Sequence, residues 1–510
     1  MKVVYALLLG VISLNVLAKD PEVLWKSKQP VQANMNGKMI IAKRRKPSKF
    51  KIVDLNKGTE SKKIKLPKEL EIHSAILPLK DKWLYVNNEE HKSFSKAKYK
   101  IVELNEDGSY SHQIEALECE EKVGDFHFQG VRATSSMVPF DVRLQKSKNE
   151  AFISCIASKV YGSYSYKAGM VNLSDYRKTE EEVHFSVMNS KLELVKKGSF
   201  KPGITRGDIA SFTSYISGTG DLYLVYGLKQ EYGKISNRLL LVKVSMEDES
   251  VQRVTFNLPK FNTQLLGTVF QDDKFQFTGF VDAFESEEKD IQGVFHATID
   301  NAVFQLKDVN VVLFDENQKS QMNKMYITDV DSLVPWTSKN NSIFPQVRAS
   351  AVVKKNEVLG IMFRYYVKVV HKTVVSQSLM GYSYGSYCFI RFGADKKSIK
   401  DVTYLGTPTG FNPSTLISLE MNGKLYYSYA NKYNFKVFEI PSDMSAIRKK
   451  HFAISPSSYK QTYLNYNGRG TIFNKEKMQM HVGVTADVYN ITGGHSLQQN
   501  RIALLKVQLP

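Results

Sequence analysis

Short apolar runs recur along the whole chain, each entered through a tight polar turn. They read Asn36-Gly-Lys-Met-Ile-Ile, Asp81-Lys-Trp-Leu-Tyr-Val, Asn149-Glu-Ala-Phe-Ile-Ser, Gly220-Asp-Leu-Tyr-Leu-Val, Asp272-Asp-Lys-Phe-Gln-Phe, Asn356-Glu-Val-Leu-Gly-Ile, Asn422-Gly-Lys-Leu-Tyr-Tyr and Lys475-Glu-Lys-Met-Gln-Met. Most are followed, after a variable loop, by a third apolar segment such as Phe50-Lys-Ile-Val-Asp-Leu, Tyr99-Lys-Ile-Val-Glu-Leu, Leu239-Leu-Leu-Val-Lys-Val or Ile502-Ala-Leu-Leu-Lys-Val. Runs this short, bounded by turn residues and rich in branched and aromatic side chains, predict strands. Dipeptides such as Asn-Gly close tight hairpins. A β-unit of this kind cannot bury a face alone and does so by stacking on its neighbours. Eight copies therefore predict an all-β chain: a single seven- or eight-bladed β-propeller of four-stranded antiparallel blades, closed by pairing of its N- and C-terminal strands.

The first residues break the pattern. Met1-Lys2 precedes an apolar run from Val3 to Leu17, followed by Lys19-Asp20. One positive charge and a short apolar segment ending in small residues predict a cleaved signal peptide over 1–18, with the propeller domain filling 19–510. No later segment approaches the length of a membrane-spanning helix. The expectation is a secreted or periplasmic monomer without a transmembrane segment.

Loop lengths distinguish the two faces of such a propeller. The turns between first and second strands are short. The connections between second and third strands differ, and are expected to be long in units 3, 6 and 8. Long loops on one face of a rigid scaffold are where binding concentrates. Two of them, Tyr161-Gly-Ser-Tyr-Ser-Tyr166 and Tyr382-Ser-Tyr-Gly-Ser-Tyr387, combine broad aromatic surface with an adaptable backbone. Tyr164, Tyr166, Tyr384 and Tyr387 are accordingly candidate stacking residues, although Tyr also favours strands for packing reasons alone. Tyr489-Asn-Ile-Thr-Gly-Gly-His495 is expected to form the third loop of this face, and the 315–342 connection to lie over it.

Counting back from each turn to the start of the first strand reaches His73, Asp141, Arg348 and Ser414. Arg143 lies two residues beyond Asp141, Arg206 and Asp208 open the fourth unit, and Arg469 precedes the last turn. These positions are expected to ring the mouth of a central channel on the long-loop face. Arg143, Arg206, Arg348 and Arg469 would there grip a carboxylate or sulfate through paired N–H groups. The competing reading makes them hydrogen-bonding partners between blades.

Charge narrows the partner. Lys and Arg number 70 against 51 Asp and Glu, a net charge of +19. In an exported protein this field attracts an acidic polysaccharide or anionic cell-surface component rather than nucleic acid. Part of it also serves solubility, because edge lysines discourage sheet-to-sheet pairing. The three cysteines, Cys119, Cys155 and Cys388, have no metal-ligand spacing. Cys155 is either a buried thiol or half of a bridge to Cys119. Phosphate loops, nucleophile elbows and His-Glu-x-x-His motifs are absent, and nothing calls for a cofactor. A glycosidase would need paired carboxylates, or a tyrosine and a carboxylate. Asp141, Asp208, Tyr215, Tyr365 and Tyr366 supply that inventory without fixing a spacing.

The segment from Ser211 to Tyr226, followed by Arg238-Leu-Leu-Leu-Val-Lys-Val, resembles secreted sialidase-type propellers in rhythm, and Arg348 in Phe344-Pro-Gln-Val-Arg-Ala resembles the arginine with which those enzymes hold a sugar carboxylate. The resemblance implies a propeller acting on glycans. The family's Asp-box, Ser-x-Asp-x-Gly-x-Thr-Trp, is absent, and Asn105-Glu-Asp-Gly-Ser109 lacks its leading Ser and its Trp. Those propellers usually have six blades. The expected role is thus an exported module that recognises an anionic glycan or cell-surface component. A sialidase-like glycoside hydrolase and a protein-interaction scaffold of the envelope are the alternatives.

Overall fold

A computed structural model describes residues 22–508, except for turns of up to five residues and the stretches 67–73, 121–126, 133–139, 160–179, 284–290, 319–347, 371–380, 407–416, 441–447 and 454–461. Side chains are described mainly within 38–66, 76–118, 144–157, 180–257, 275–318 and 389–403. The chain divides into two compact units, 38–406 and the combination of 1–37 with 407–510.

The described residues are nearly all β. Within 38–406, four successive antiparallel sheets have their four strands in chain order. The 74–120 sheet comprises Ser74–Leu79, Lys82–Glu90, Lys96–Leu104 and Tyr110–Glu120. The 140–200 sheet comprises Phe140–Lys146, Phe152–Lys159, Val183–Asn189 and Leu194–Phe200. The 209–257 sheet comprises Ile209–Ile216, Leu222–Gln230, Lys234–Val244 and Val251–Asn257. The 261–313 sheet comprises Phe261–Gln271, Lys274–Ala283, Ile291–Asp300 and Gln305–Leu313. A further sheet, 348–406, comprises Arg348–Lys355, Val358–Arg364, Tyr387–Phe392 and Ile399–Gly406.

Burial explains which segments become which strands. Leu222–Gln230 is the second strand of its sheet, and its run Leu-Tyr-Leu-Val-Tyr is buried throughout. Alternate side chains face opposite sides of a strand. Leu222, Leu224 and Tyr226 thus pack with Val183, Phe185 and Val187 of the preceding sheet, while Tyr223 and Val225 pack with Phe275, Phe277 and Phe295 of the following one. A strand covered on both faces reads as a continuous apolar run, whereas the outer strand Val251–Asn257 mixes exposed and covered positions. The 74–120 and 140–200 sheets meet in the same way, through Leu84, Val86, Ile101, Ile153 and Cys155. Cys155 is a buried free thiol, so it forms no bridge with Cys119.

The other unit holds the 417–453 sheet, built from Ile417–Met421, Lys424–Asn431, Asn434–Ile440 and Arg448–Ala453. Its second sheet joins the two ends of the chain. Glu22–Ser27 pairs antiparallel with His495–Gln508, which pairs with Gln479–Thr492; Thr462–Tyr466 and Ile472–Asn474 both pair with the latter. One expectation is corrected here. Tyr489–Ile491 and His495 belong to strands, with Thr492 paired opposite His495, so they form no long loop. The fourteen-residue strands continue their ladder through the residues expected to leave it.

Candidate functional site

The first strands of the 140–200 and 209–257 sheets lie side by side. The Gln145 side-chain amide donates to Ser214 Oγ at 2.7 Å and to the Ser214 main-chain carbonyl. Four residues further along the chain on each side, in the turns that follow the two strands, Asn149 lies against Gly218, where a Cβ would come within 3.1 Å of its Nδ2. Both contacts join residues 69 apart, so the strands run parallel and in step. In the other direction this register brings Asp141 level with Ala210 and Arg143 level with Phe212. The turn Arg206–Asp208 leads directly into Ile209. Asp141 and Arg143 thus lie in the first half of Phe140–Lys146, and Arg206 and Asp208 lie in the turn just before Ile209–Ile216, the first strands of two neighbouring sheets.

The facing surfaces explain why polar residues stand there. Asp141, Arg143 and Gln145 alternate along one side of their strand and pair with Ser158, Ile156 and Ser154. Leu144, on the other side, packs into the core shared with the 74–120 sheet. Toward the outer strands the same face turns apolar, with Val183, Phe185 and Phe200 in the core. Within the 209–257 sheet, the rings of Phe212 and Tyr226 stack tilted at 5.1 Å. Gln145 Oε1 and Ser154 Oγ are buried without a hydrogen-bond partner among the described residues. The inner edge of this inter-sheet space is polar, and its outer part is ordinary core.

The Arg206–Asp208 turn is locally braced. Thr205 Oγ1 donates to Asp208 Oδ2 at 2.6 Å, and the Asp208 amide donates to the Thr205 carbonyl at 3.1 Å. Asp208 thus does for its own turn what Asp commonly does, satisfying nearby donors. The chain from the neighbouring sheet crosses here. Glu180 bridges Thr205, and the Glu181 amide donates to the Ile204 carbonyl at 2.9 Å. Lys201 Nζ pairs with Glu180 at 3.0 Å, and that hydrogen bond and charge raise the lysine's pKa. Glu181 itself is 0% exposed. Sequence reasoning missed it, because Glu180-Glu181-Glu182 reads as a solvated run of charge. Only packing separates its buried middle member from its neighbours.

The remaining candidates are more dispersed. Arg348 opens the first strand of the 348–406 sheet, as its spacing implied, and its register partner is Arg364, which pairs in turn with Tyr387. Arg364 was not singled out from sequence, since only strand pairing reveals the row. Tyr384 lies in Gly381–Tyr384, which pairs with Val367–Val370. The connection between second and third strands therefore carries a β-ribbon, and Tyr387 begins the third strand itself. Tyr164, Tyr166 and Arg469 lie outside the described residues. Among those described, no group of three His, Cys, Asp or Glu side chains is arranged to hold a metal ion. No described helix is long and apolar enough to cross a membrane.

No family model matches the chain, and no curated protein matches it. Among solved structures it is similar to polysaccharide lyase Uly1, at 13% identity and a TM-score of 0.42, covering 86% of this chain and 90% of that one. It is similar to a prolyl endopeptidase at 10% identity and a TM-score of 0.39, covering 93% of this chain but 55% of that one, so it spans about half the endopeptidase's length. It is also similar to the NanB sialidase from Streptococcus pneumoniae at 13% identity and a TM-score of 0.32, covering 96% and 71% respectively. At such scores these likenesses carry no argument about what the chain does.

Proposed function

We propose that the chain is an exported, monomeric β-propeller of seven or eight blades spanning 19–510, and that it recognises an anionic glycan or anionic cell-surface component. Arg143 and Arg206 form the centre of the site, with Asp141 and Asp208 beside them. Arg348 widens it, and Tyr164, Tyr166, Tyr384 and Tyr387 stack on sugar rings; Arg469 is a further candidate in the other unit. The observation that carries this reading is the parallel, in-step pair of strands Phe140–Lys146 and Ile209–Ile216, whose register aligns Asp141 and Arg143 with the strand following the Arg206–Asp208 turn. Guanidinium groups brought together there would present paired donors that match a carboxylate or sulfate. The net charge of +19 draws a polyanion toward them over longer range.

The test is electrophoresis of acidic and neutral polysaccharides with the purified mature protein at low and high salt, each polymer sized before and after incubation. Salt-sensitive retardation of acidic polymers without shortening, abolished by Arg143→Ala combined with Arg206→Ala, is the expected result. Shortened polymers would replace the binding reading with hydrolysis. No retardation of any polymer would overturn it and leave an envelope scaffold as the better account.

A further inference from the structure

We propose that the strands Lys46–Asp54 and Ile64–Lys65 form a contact surface for a linear polyanion, a sulfated or uronate-bearing polysaccharide, which lysines engage along its length. The proposal shares its anionic partner with the reading above but rests on different residues. These strands belong to a sheet that includes Lys38–Lys43 and Thr59–Glu60. Between positions 43 and 68 the sequence has eleven Lys or Arg against two Asp or Glu, so close to half of the net charge of +19 lies in this stretch.

Lys49 and Lys51 alternate with buried Phe50 and Ile52, and so share one side of their strand. Lys65 stands directly across from Lys49 in the register. Residues paired in this way project to the same side with Cβ atoms about 4.5–5.5 Å apart, and like charges there destabilise a sheet. Lys65 is exposed, as is Lys63 just before its strand. Lysines that only discourage sheet-to-sheet pairing belong on an outermost strand. Lys46–Asp54 is not outermost: it pairs with Lys38–Lys43 on one side and with Thr59–Glu60 and Ile64–Lys65 on the other. Its lysines need another reason. The two carboxylates of the stretch do not neutralise them all. Glu60 pairs with Lys51 Nζ at 2.7 Å, and Asp54 Oδ1 accepts from the Lys57 amide at 3.1 Å. Among the described residues, no carboxylate lies within ion-pair distance of Lys49, Lys63 or Lys65. A lysine ammonium is a mobile point charge without a fixed donor geometry. A group of them on neighbouring strands suits successive charges of a chain laid over the sheet, more than one carboxylate held by two bonds.

Binding of dextran sulfate to the full chain, measured over a range of salt, tests this. Lys49→Gln, Lys63→Gln and Lys65→Gln are combined in one variant. Lys197→Gln, Lys307→Gln and Lys400→Gln, exposed positions on three other sheets, are combined in a control that loses the same charge. The first variant should bind about tenfold more weakly at low salt and lose about two units of the slope of log affinity against log salt, since each neutralised charge contributes close to one. The control should lose about twofold or less, because charges remote from the contact are screened. Both should melt with the unsubstituted protein. Equal losses in the two variants would overturn the proposal, because net charge and not this face would carry the attraction. Aggregation of the first variant at unchanged affinity would overturn it in favour of edge protection. The Arg143→Ala, Arg206→Ala double variant separates the two sites. If it abolishes binding while the lysine variant matches its control, the arginine site stands and this surface falls; the reverse pattern keeps this surface and removes that site. Binding to phosphatidylglycerol vesicles that the lysine variant loses, with dextran sulfate unbound, would overturn the polysaccharide in favour of a membrane surface. Binding of neither probe by the unsubstituted protein would overturn the surface itself.

Discussion

Gln145 and Ser214 tie two neighbouring sheets together at their first strands: one side-chain amide donates both to the Ser214 hydroxyl, at 2.7 Å, and to its main-chain carbonyl. Ser214 is 2% exposed, so water cannot readily replace that donor. The same contact sets the register that aligns Asp141 and Arg143 with the strand following Arg206–Asp208.

Gln145→Ala should cost about 1–3 kcal/mol, the usual penalty for leaving a buried acceptor unpaired. Ser214→Ala should cost less, since the carbonyl acceptor persists and keeps the amide. Urea denaturation would show a lower midpoint at unchanged slope for both. Equal losses in the two variants would mean that the hydroxyl, and not the carbonyl, carries the tie.

Glu150 occupies the left-handed region at φ 58, where a side chain costs about 1–2 kcal/mol. Its carboxylate accepts from Lys146 Nζ at 2.6 Å and from the Lys80 amide of the neighbouring sheet. Glu150→Ala removes those bonds and keeps the strain, whereas Glu150→Gly removes both. The glycine variant should thus be the more stable of the two by about 1 kcal/mol, measurable as a difference in melting midpoint.

The same carboxylate makes stability pH-dependent. Burial pushes its pKa up, but the Lys146 hydrogen bond, the Lys80 amide and the two lysine charges together outweigh burial and hold it below the ordinary value of 4.5. A depressed carboxylate pKa contributes stability that is full above the unfolded value and is lost as pH falls through the folded one. Because the pair is largely solvated, the contribution should be small and weakened by salt. Comparing acid-unfolding curves of the wild type and Glu150→Gln between neutral pH and pH 3 should show the difference closing only below about pH 4.5.

Cys155 should resist modification. Burial pushes its thiol pKa up to about 12, outweighing a smaller lowering from the neighbouring Ser186 hydroxyl, and the thiolate is the reactive form. Iodoacetamide at pH 8 should leave Cys155 unlabelled in the native protein and alkylate it after denaturation, as read by peptide mass spectrometry. Labelling of the native protein at a similar rate would show that the 74–120 and 140–200 sheets part readily.

Gly293 tests the packing of the outer strands. A Cβ there would lie 2.3 Å from the Val312 carbonyl oxygen and 2.8 Å from Leu313 Cα, atoms of backbone that cannot rotate away. Gly293→Ala should therefore lose at least about 1–3 kcal/mol, the range for overpacking a tight site. Gly198→Ala, whose Cβ would meet only the Phe185 ring at 3.4 Å, should remain close to wild type. Thermal melts of the two variants side by side provide the comparison.

Alternation and turn chemistry by themselves determined the elements. The described strands flank the positions read as tight turns, from Asn36-Gly37 to Asn422-Gly423, because turn dipeptides and two-sided apolar runs are local consequences of backbone sterics and burial. The pairing of Glu22–Ser27 with His495–Gln508 also agrees with the expected joining of the chain's two ends. Side-chain roles were legible only in part. The expected loop at Tyr489–His495 is a hairpin, since ladder pairing overrides local composition when both strands have partners. Glu181 within its acidic run, Arg364 beside Arg348, and the step-for-step alignment of Gln145 with Ser214 and Asn149 with Gly218 were decided by tertiary structure alone. A strand's period tells which residues share a side. What that side meets depends on the register of another sheet, which no local pattern encodes.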